Sequence, residues 1–238
     1  MPRRARRDLE SNYLHVIAQG INRELIFKTE RNKRKYYELL INNKEDFDVY
    51  ILAYCIMNNH VHVLIYSDKI DNISKYMKLV NTSFAQYYNK INDRVGYVFR
   101  DRFKSQAIKN ERYLYNCISY IHHNPVKANI VSDLDAYKYS SYNDYIRKTG
   151  IVNKKTLQLV FGGERDYIEM FNFIHYGEGE ALEVQDETNI TNCKWKTENL
   201  DRNELKEECK KLKELNFSNR KIAKMIGIDR NKVDRLLK

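Results

Sequence analysis

The chain has 238 residues, enough for one large domain or for a domain of about 150 residues with a small one attached. A hydrophobic fraction of 42% and an aromatic fraction of 12% are those of a folded protein, while a mean hydropathy of −0.71 and the lack of any apolar run of about 18 residues exclude a spanning helix. A formal charge of +10 points to a polyanionic partner, nucleic acid first and a membrane surface second.

The basic start, MPRRARRDLE, has no apolar stretch behind it and does not read as a secretory signal. Cys55, Cys117, Cys193 and Cys209 are scattered with no CxxC pair, so neither a zinc knuckle nor a disulfide framework is expected, and a cytoplasmic location fits. The 19 tyrosines fit base stacking, but the base composition of an AT-rich genome accounts for them more simply.

In chain order, YLHVIAQ (Tyr13–Gln19) reads as a strand, and RNKRKYYELLINN has helical spacing. FDVYILAYCIM (Phe47–Met57) and HVHVLIYS read as two strands joined by Asn58-Asn59, residues that tolerate the positive φ of a hairpin turn. A helix with Ile73, Met77, Val80 and Phe84 on one side follows, and then turn and strand material in GYVFRDRFKSQAIK. The order β-α-β-β-α-β predicts an α+β fold, a ferredoxin-like antiparallel sheet with helices on one face.

ERYLYNCISYIHHNPVKA predicts a further helix, with an apolar stripe at Leu114, Ile118 and Ile121, stopped at or near Asn124 by Pro125. SSYNDYIRK is a short helix. Five acidic residues and no Lys or Arg between Gly177 and Asn192 read as a linker. The last stretch divides into three short helices, with Ser218 and Asp229 as N-caps, Ile222, Ala223 and Ile226 facing one way, Gly227 and Ile228 at the turn, and Val233 and Leu236 completing the packing. This is a helix-turn-helix layout, or else a small three-helix interaction module. The organisation expected is residues 1–150, an extension and acidic linker over 151–200, and a helix-turn-helix module over 201–238.

His60 and His62 point to the same side of their strand, about 7 Å apart along the chain, with Val61 and Val63 on the other side. Two neutral imidazoles so placed can grip one divalent metal; two surface histidines on a solvated face would look the same. Tyr120 and Asn124 are i, i+4 neighbours on the later helix, with His123 at i+3 from Tyr120. Asn124 offers a carbonyl oxygen to a hard cation, and Tyr120 presents a phenol one turn away. Tyr120 could equally be an ordinary half-buried tyrosine.

MNNHVHVLIY, VFRDRFKS and YIHHNPVKA together resemble the single-tyrosine HUH transposases, nearest their REP-associated branch, and PRRARRDLESNYLHVIAQGINRELIF resembles the start of that branch. The likeness runs from about Met1 to Tyr145. It implies a ferredoxin-like fold, a divalent metal (Mg or Mn) and one tyrosine nucleophile acting on single-stranded DNA with hairpin structure. Carried over, the metal ligands are His60, His62 and Asn124, and the nucleophile is Tyr120, which would leave a 5′-phosphotyrosine and a free 3′-OH. Tyr113 and Tyr115 have Cys117 and Ser119 at i+4 and rank lower. Asp101 and the pair His122-His123 depart from the pattern, and His123 competes with Asn124 as the third ligand. His15 reads as a core residue or as a support behind a ligand.

Arg3, Arg4, Arg6 and Arg7 form a basic arm, and Arg100, Arg102 and Lys104 suit phosphate contacts. Arg230, Asn231, Lys232 and Arg235 would add contacts to duplex DNA. The reading is a metal-dependent DNA-cleaving and rejoining enzyme, a monomer or a homodimer. The alternative is a non-catalytic DNA-binding regulator of the same shape.

Overall fold

The computed structural model describes residues 11–161 and 228–237, together with residues 171, 174–175, 205–207, 209–210, 213, 219 and 223. Four strands form one sheet: β1 (Tyr13–Gln19), β2 (Tyr50–Ile56), β3 (His60–Tyr66) and β4 (Lys104–Ala107). Their order is β2-β3-β1-β4, with every neighbouring pair antiparallel. The predicted hairpin is present: the Met57 amide donates to the His60 carbonyl across the Asn58-Asn59 turn. The helices are α1 (Glu30–Asn42), α2 (Ile70–Ile91), α3 (Glu111–Lys127), α4 (Tyr142–Arg147), α5 (Lys154–Phe161) and α6 (Arg230–Leu236).

The expectation of helices on one face is corrected. Cross-strand partners share a face, and Tyr54 pairs with Val63 while Cys55 pairs with His62. The Tyr54 ring lies 5.7 Å from Tyr37 of α1, and α1 packs on α2, where Tyr36 donates to the Asn81 side chain and Tyr76 to the Leu40 carbonyl. On the His62 face, the Tyr120 ring of α3 lies 5.5 Å from the His62 ring. Helices therefore cover both faces. That is why Val61 to Ile65 are all buried, where a sheet with one wet face would alternate. Phe27, Tyr36, Phe84 and Phe99 form an aromatic cluster beside α1 and α2, with ring centroids 4.8–6.5 Å apart. Truncating Phe84 in such a core typically costs about 3–5 kcal/mol.

Strand β2 is an edge, and the segment after α3 closes it. Ile56 donates to the Tyr139 carbonyl, Tyr54 to the Ser141 hydroxyl, and Ser141 to the Tyr54 carbonyl. The β2–β3 register shifts between Ile51 and Ala53, and the Leu52 carbonyl accepts from the Tyr145 hydroxyl at 2.7 Å. An edge without these partners would be open to pairing with another chain.

Helix α3 runs three residues past the predicted stop and holds Pro125 inside it. The chain turns away just past its C-cap Ala128, at Asn129, which takes a left-handed φ of 53°. Ile130 donates to the Pro125 carbonyl and Asn129 to the Val126 carbonyl, the paired bonds of a Schellman close. Pro125 is tolerated because it sits in the last turn, where it removes one bond and leaves the C-terminal carbonyls to this motif.

The chain divides into two compact units, Met1–Leu182 and Glu183–Lys238. In the second, Leu205, Cys209, Ala223, Val233 and Leu236 form a small core with Ile228 packed against it. Asp229 caps α6 as predicted, accepting from the Asn231 amide at 2.8 Å. The acidic linker, Ser218, Ile222, Ile226, Gly227 and the basic arm Arg3, Arg4, Arg6 and Arg7 lie outside the described residues. Cys55, Cys117 and Cys209 are buried. Among the described residues, no helix is long and apolar enough to cross a membrane.

Candidate active site

The site lies between the His62 face of the sheet and α3. The strand sets His60 and His62 on one side, and their rings lean together to 4.8 Å between centroids at 86°. His60 Nδ1 lies 2.6 Å from Asn59 Oδ1 in the hairpin turn, and an Nδ1–H donating there fixes the ring's tautomer. His62 is fully buried, and its Nδ1 lies 3.0 Å from Nε2 of His15. Its Nε2 has no hydrogen-bond partner.

Burial sets the protonation of this pair. It pushes His15 down to about 4 and His62 well below its ordinary 6.5, the latter with help from His60, His15 and Lys127. Both imidazoles are neutral at pH 7. The tautomer with a lone pair on His62 Nε2 carries its proton on Nδ1, which donates to His15. An unpartnered polar atom at such depth costs about 1–3 kcal/mol. A ligand on His62 Nε2 would relieve that cost.

On α3, Tyr120 and Asn124 share a side. The Asn124 Nδ2 donates to the Tyr120 carbonyl at 2.8 Å, so its Oδ1 is the atom left for other partners. Lys127, one turn further on, places Nζ 4.8 Å from the Tyr120 ring centroid. The Tyr120 ring also meets His15 edge-on at 6.0 Å. His123 turns elsewhere: its Nδ1 donates to the Ser119 carbonyl at 2.8 Å, and its ring lies 6.4 Å from that of His175. His122 is buried between His175 at 2.6 Å and the Ser141 hydroxyl at 2.7 Å. Of the other tyrosines on α3, Tyr115 is buried and stacked on Phe161, and burial pushes the Tyr113 phenol up to about 12.

Two imidazole nitrogens and an amide oxygen make a mixed donor set of the kind that divalent cations accept. The buried, unpartnered His62 Nε2 is the observation that fits a cation here. Among the described residues, no group of three His, Cys, Asp or Glu side chains is placed to hold one.

The predicted basic residues fall in two places. Lys104 pairs with Ile17, which pairs with His62, so Lys104 lies on the His62 face two strands away. Arg100 and Arg102 are exposed just before it, and Arg100 pairs with Asp101 at 3.4 Å, which gives that departure a local role. Arg230, Asn231, Lys232 and Arg235 are exposed on α6, in the second unit. The sequence reading missed one neighbour of the site, Lys127, while His15, read as a core residue or a support behind a ligand, bonds to His62. The i, i+4, i+7 run of Tyr120, Asn124 and Lys127 is the signal for Lys127.

Residues 8–124 match the model of the family described as "Transposase IS200 like". A protein of Haemophilus influenzae assigned as a REP-associated tyrosine transposase is 26% identical over 109 residues, 42% of this chain and 62% of that protein's length. The fold is similar to the solved structure of a REP-associated tyrosine transposase bound to a REP hairpin, with a TM-score of 0.52 and 17% identity over 63% of this chain and 90% of the other. Over residues 8–124, just under half of the chain, it is similar to the IS200-like transposases.

Proposed function

We propose that this chain cleaves and rejoins single-stranded DNA at hairpin-associated sites, with Tyr120 as the nucleophile and His60, His62 and Asn124 as ligands of a divalent cation, Mg or Mn. The observation that carries the reading is the buried His62 with its unpartnered Nε2 beside the Tyr120 ring. When bound, the cation supplies charge that stabilises the scissile phosphate as it gains negative character. The chain's own residues do the rest. Tyr120 Oη bonds to phosphorus, the P–O3′ bond breaks, and the phenol's proton ends on the released 3′-OH. The 5′-phosphotyrosine conserves the phosphodiester energy, so a second 3′-OH reverses the step without ATP. His15 fixes the His62 tautomer, and Lys127 places a cation beside the attacking phenol. Lys104, Arg100 and Arg102 are suited to phosphates of the bound strand.

The order β2-β3-β1-β4, all antiparallel, supports a ferredoxin-like assignment of the sheet. For residues 201–238 we propose a helix-turn-helix that adds duplex contacts through Arg230, Asn231, Lys232 and Arg235. Its support is the Asp229-capped α6 with these four side chains exposed. The test is a denaturing gel of the full chain with single-stranded hairpin DNA and Mn²⁺. A covalent DNA adduct that vanishes in Tyr120→Phe supports the assignment, and an adduct that survives moves the nucleophile to another tyrosine. Deleting residues 205–238 is expected to weaken duplex binding and spare the adduct.

A further inference from the structure

The turn between α2 and β4 exposes two apolar side chains that the proposed chemistry leaves unused. Val95 is 100% exposed and Tyr97 84% exposed; the next large apolar side chain among the described residues, Ile146, is 52% exposed. The turn is nevertheless tied down on both flanks. On one side, Arg94 pairs with Glu24, which also accepts from the Tyr88 hydroxyl, and the Arg94 guanidinium lies over the Tyr88 ring. Asn89 Nδ2 donates to the Gly96 carbonyl at 2.8 Å. On the other side, Val98 is buried and its carbonyl accepts from the Ile21 amide at 3.0 Å. Gly96 takes a φ of 109°, which turns the chain at the tip. The fold thus holds Val95 and Tyr97 out in water by a braced turn.

Strand register gives the tip's location. The Arg100 amide donates to the Gln19 carbonyl, and Gln19 pairs with His60; Phe99 bridges Gly20 in the next row. The tip therefore rises from the end of the sheet that carries His60. Its surroundings are cationic: Lys90, Arg94, Arg100, Arg102 and Lys104 stand against three carboxylates, Asp93, Asp101 and Glu24, with Glu24 paired to Arg94 and Asp101 to Arg100. A tyrosine ring offers about 150–250 Å² of contact. With one valine added, that falls well short of the roughly 800 Å² per partner of a stable protein interface. An aromatic face among cations suits a nucleobase, whose stacking is worth roughly tenfold or more in affinity and does not depend on sequence.

We propose that the Val95–Gly96–Tyr97 tip docks an unpaired base of the DNA strand beside the cleavage site, with Tyr97 stacked on the base and Arg100 and Arg102 on the flanking phosphates. The inference rests on the proposed DNA-cleaving function and adds a base-holding element to it. Stacking and charge differ in their salt dependence. Loss of a stacking contact weakens binding equally at every salt concentration, whereas a lost phosphate contact lowers the slope of log affinity against log salt by about one.

The test uses the full chain and a fluorescent DNA hairpin with single-stranded flanks of mixed sequence, titrated at several salt concentrations. Tyr97→Ala is expected to weaken binding about tenfold with the salt slope unchanged, Tyr97→Phe to bind as wild type, and Arg102→Ala to lower the slope. Wild-type affinity in Tyr97→Ala would overturn the proposal, as would equal losses in Tyr97→Phe and Tyr97→Ala. A change in sedimenting mass for Tyr97→Ala with DNA affinity intact would also overturn it, making a second copy the occupant. Failure of the wild-type chain to bind this DNA would instead remove the functional reading and this inference with it. Both side chains are exposed, so a melting curve matching wild type is expected for each Tyr97 variant.

Discussion

His15 Nε2 stands 3.0 Å from His62 Nδ1, and neither ring reaches bulk water. The bond orients His62 and decides which of its nitrogens keeps a lone pair. Partners of this kind behind a metal-binding histidine typically contribute 10–100-fold to affinity. His15→Leu is therefore expected to weaken Mn²⁺ binding by about that factor while the chain stays folded. Calorimetric titration with Mn²⁺ measures it, and unchanged affinity would leave His15 a core residue only.

The two candidates for the proposed third ligand separate by side-chain direction. Asn124 shares its side of α3 with Tyr120, whereas His123 is bonded to Ser119 and faces His175. Asn124→Ala is expected to weaken Mn²⁺ binding by tenfold or more, and His123→Ala to leave it within about twofold. Asn124→Asp adds a charge and is expected to tighten binding. The reverse pattern in the same titrations would hand the role to His123.

Acid is expected to unfold the first unit through its buried imidazoles. Burial holds His175 at about 4, and His122 lies well below 6.5 for the same reason, with His175 and His123 adding to it. The unfolded chain then binds more protons between pH 6.5 and 4, so stability is full above pH 6.5 and falls as pH drops through that window. His175 alone accounts for roughly 3 kcal/mol of the loss. Denaturant melts at a series of pH values measure this, and a flat profile from pH 7 to 4 would contradict it.

Gly150 has no room for a side chain. It takes a φ of 84°, and an added Cβ would sit 2.4 Å from Oδ1 of Asp144, whose carboxylate accepts from the Ile151 and Val152 amides. Gly150→Ala is expected to cost about 1–3 kcal/mol in urea unfolding. A neutral result would mean that the turn relaxes freely.

What the sequence made legible follows from range. The hairpin at Asn58-Asn59 and the α3 stripe of Leu114, Ile118 and Ile121, all buried, are set by local period and turn chemistry. The facing of His60 and His62 follows from strand alternation, and their i, i+4 counterpart of Tyr120 and Asn124 from helical spacing. The second covered face of the sheet was harder to see, although the unbroken run Val61–Ile65 carries it. A helix taken to end at Pro125 leaves Lys127 off the site; the close at Asn129 depends on a positive φ that Asn tolerates and that no period reveals. The His15–His62 bond needs β1 beside β3, a pairing across 47 residues that only strand order supplies.

The proposed function turns on Tyr120 as the nucleophile. The direct measurement is the mass of the covalent protein–DNA adduct, with the attached nucleotide mapped to one tyrosine after proteolysis of the full chain reacted with single-stranded hairpin DNA and Mn²⁺. A 5′-phosphonucleotide is expected on Tyr120, with none in Tyr120→Phe and an undiminished adduct in Tyr113→Phe and Tyr115→Phe. Label on another tyrosine, or no adduct with DNA the chain binds tightly, would contradict that role; the second result would favour a DNA-binding regulator built on the transposase fold.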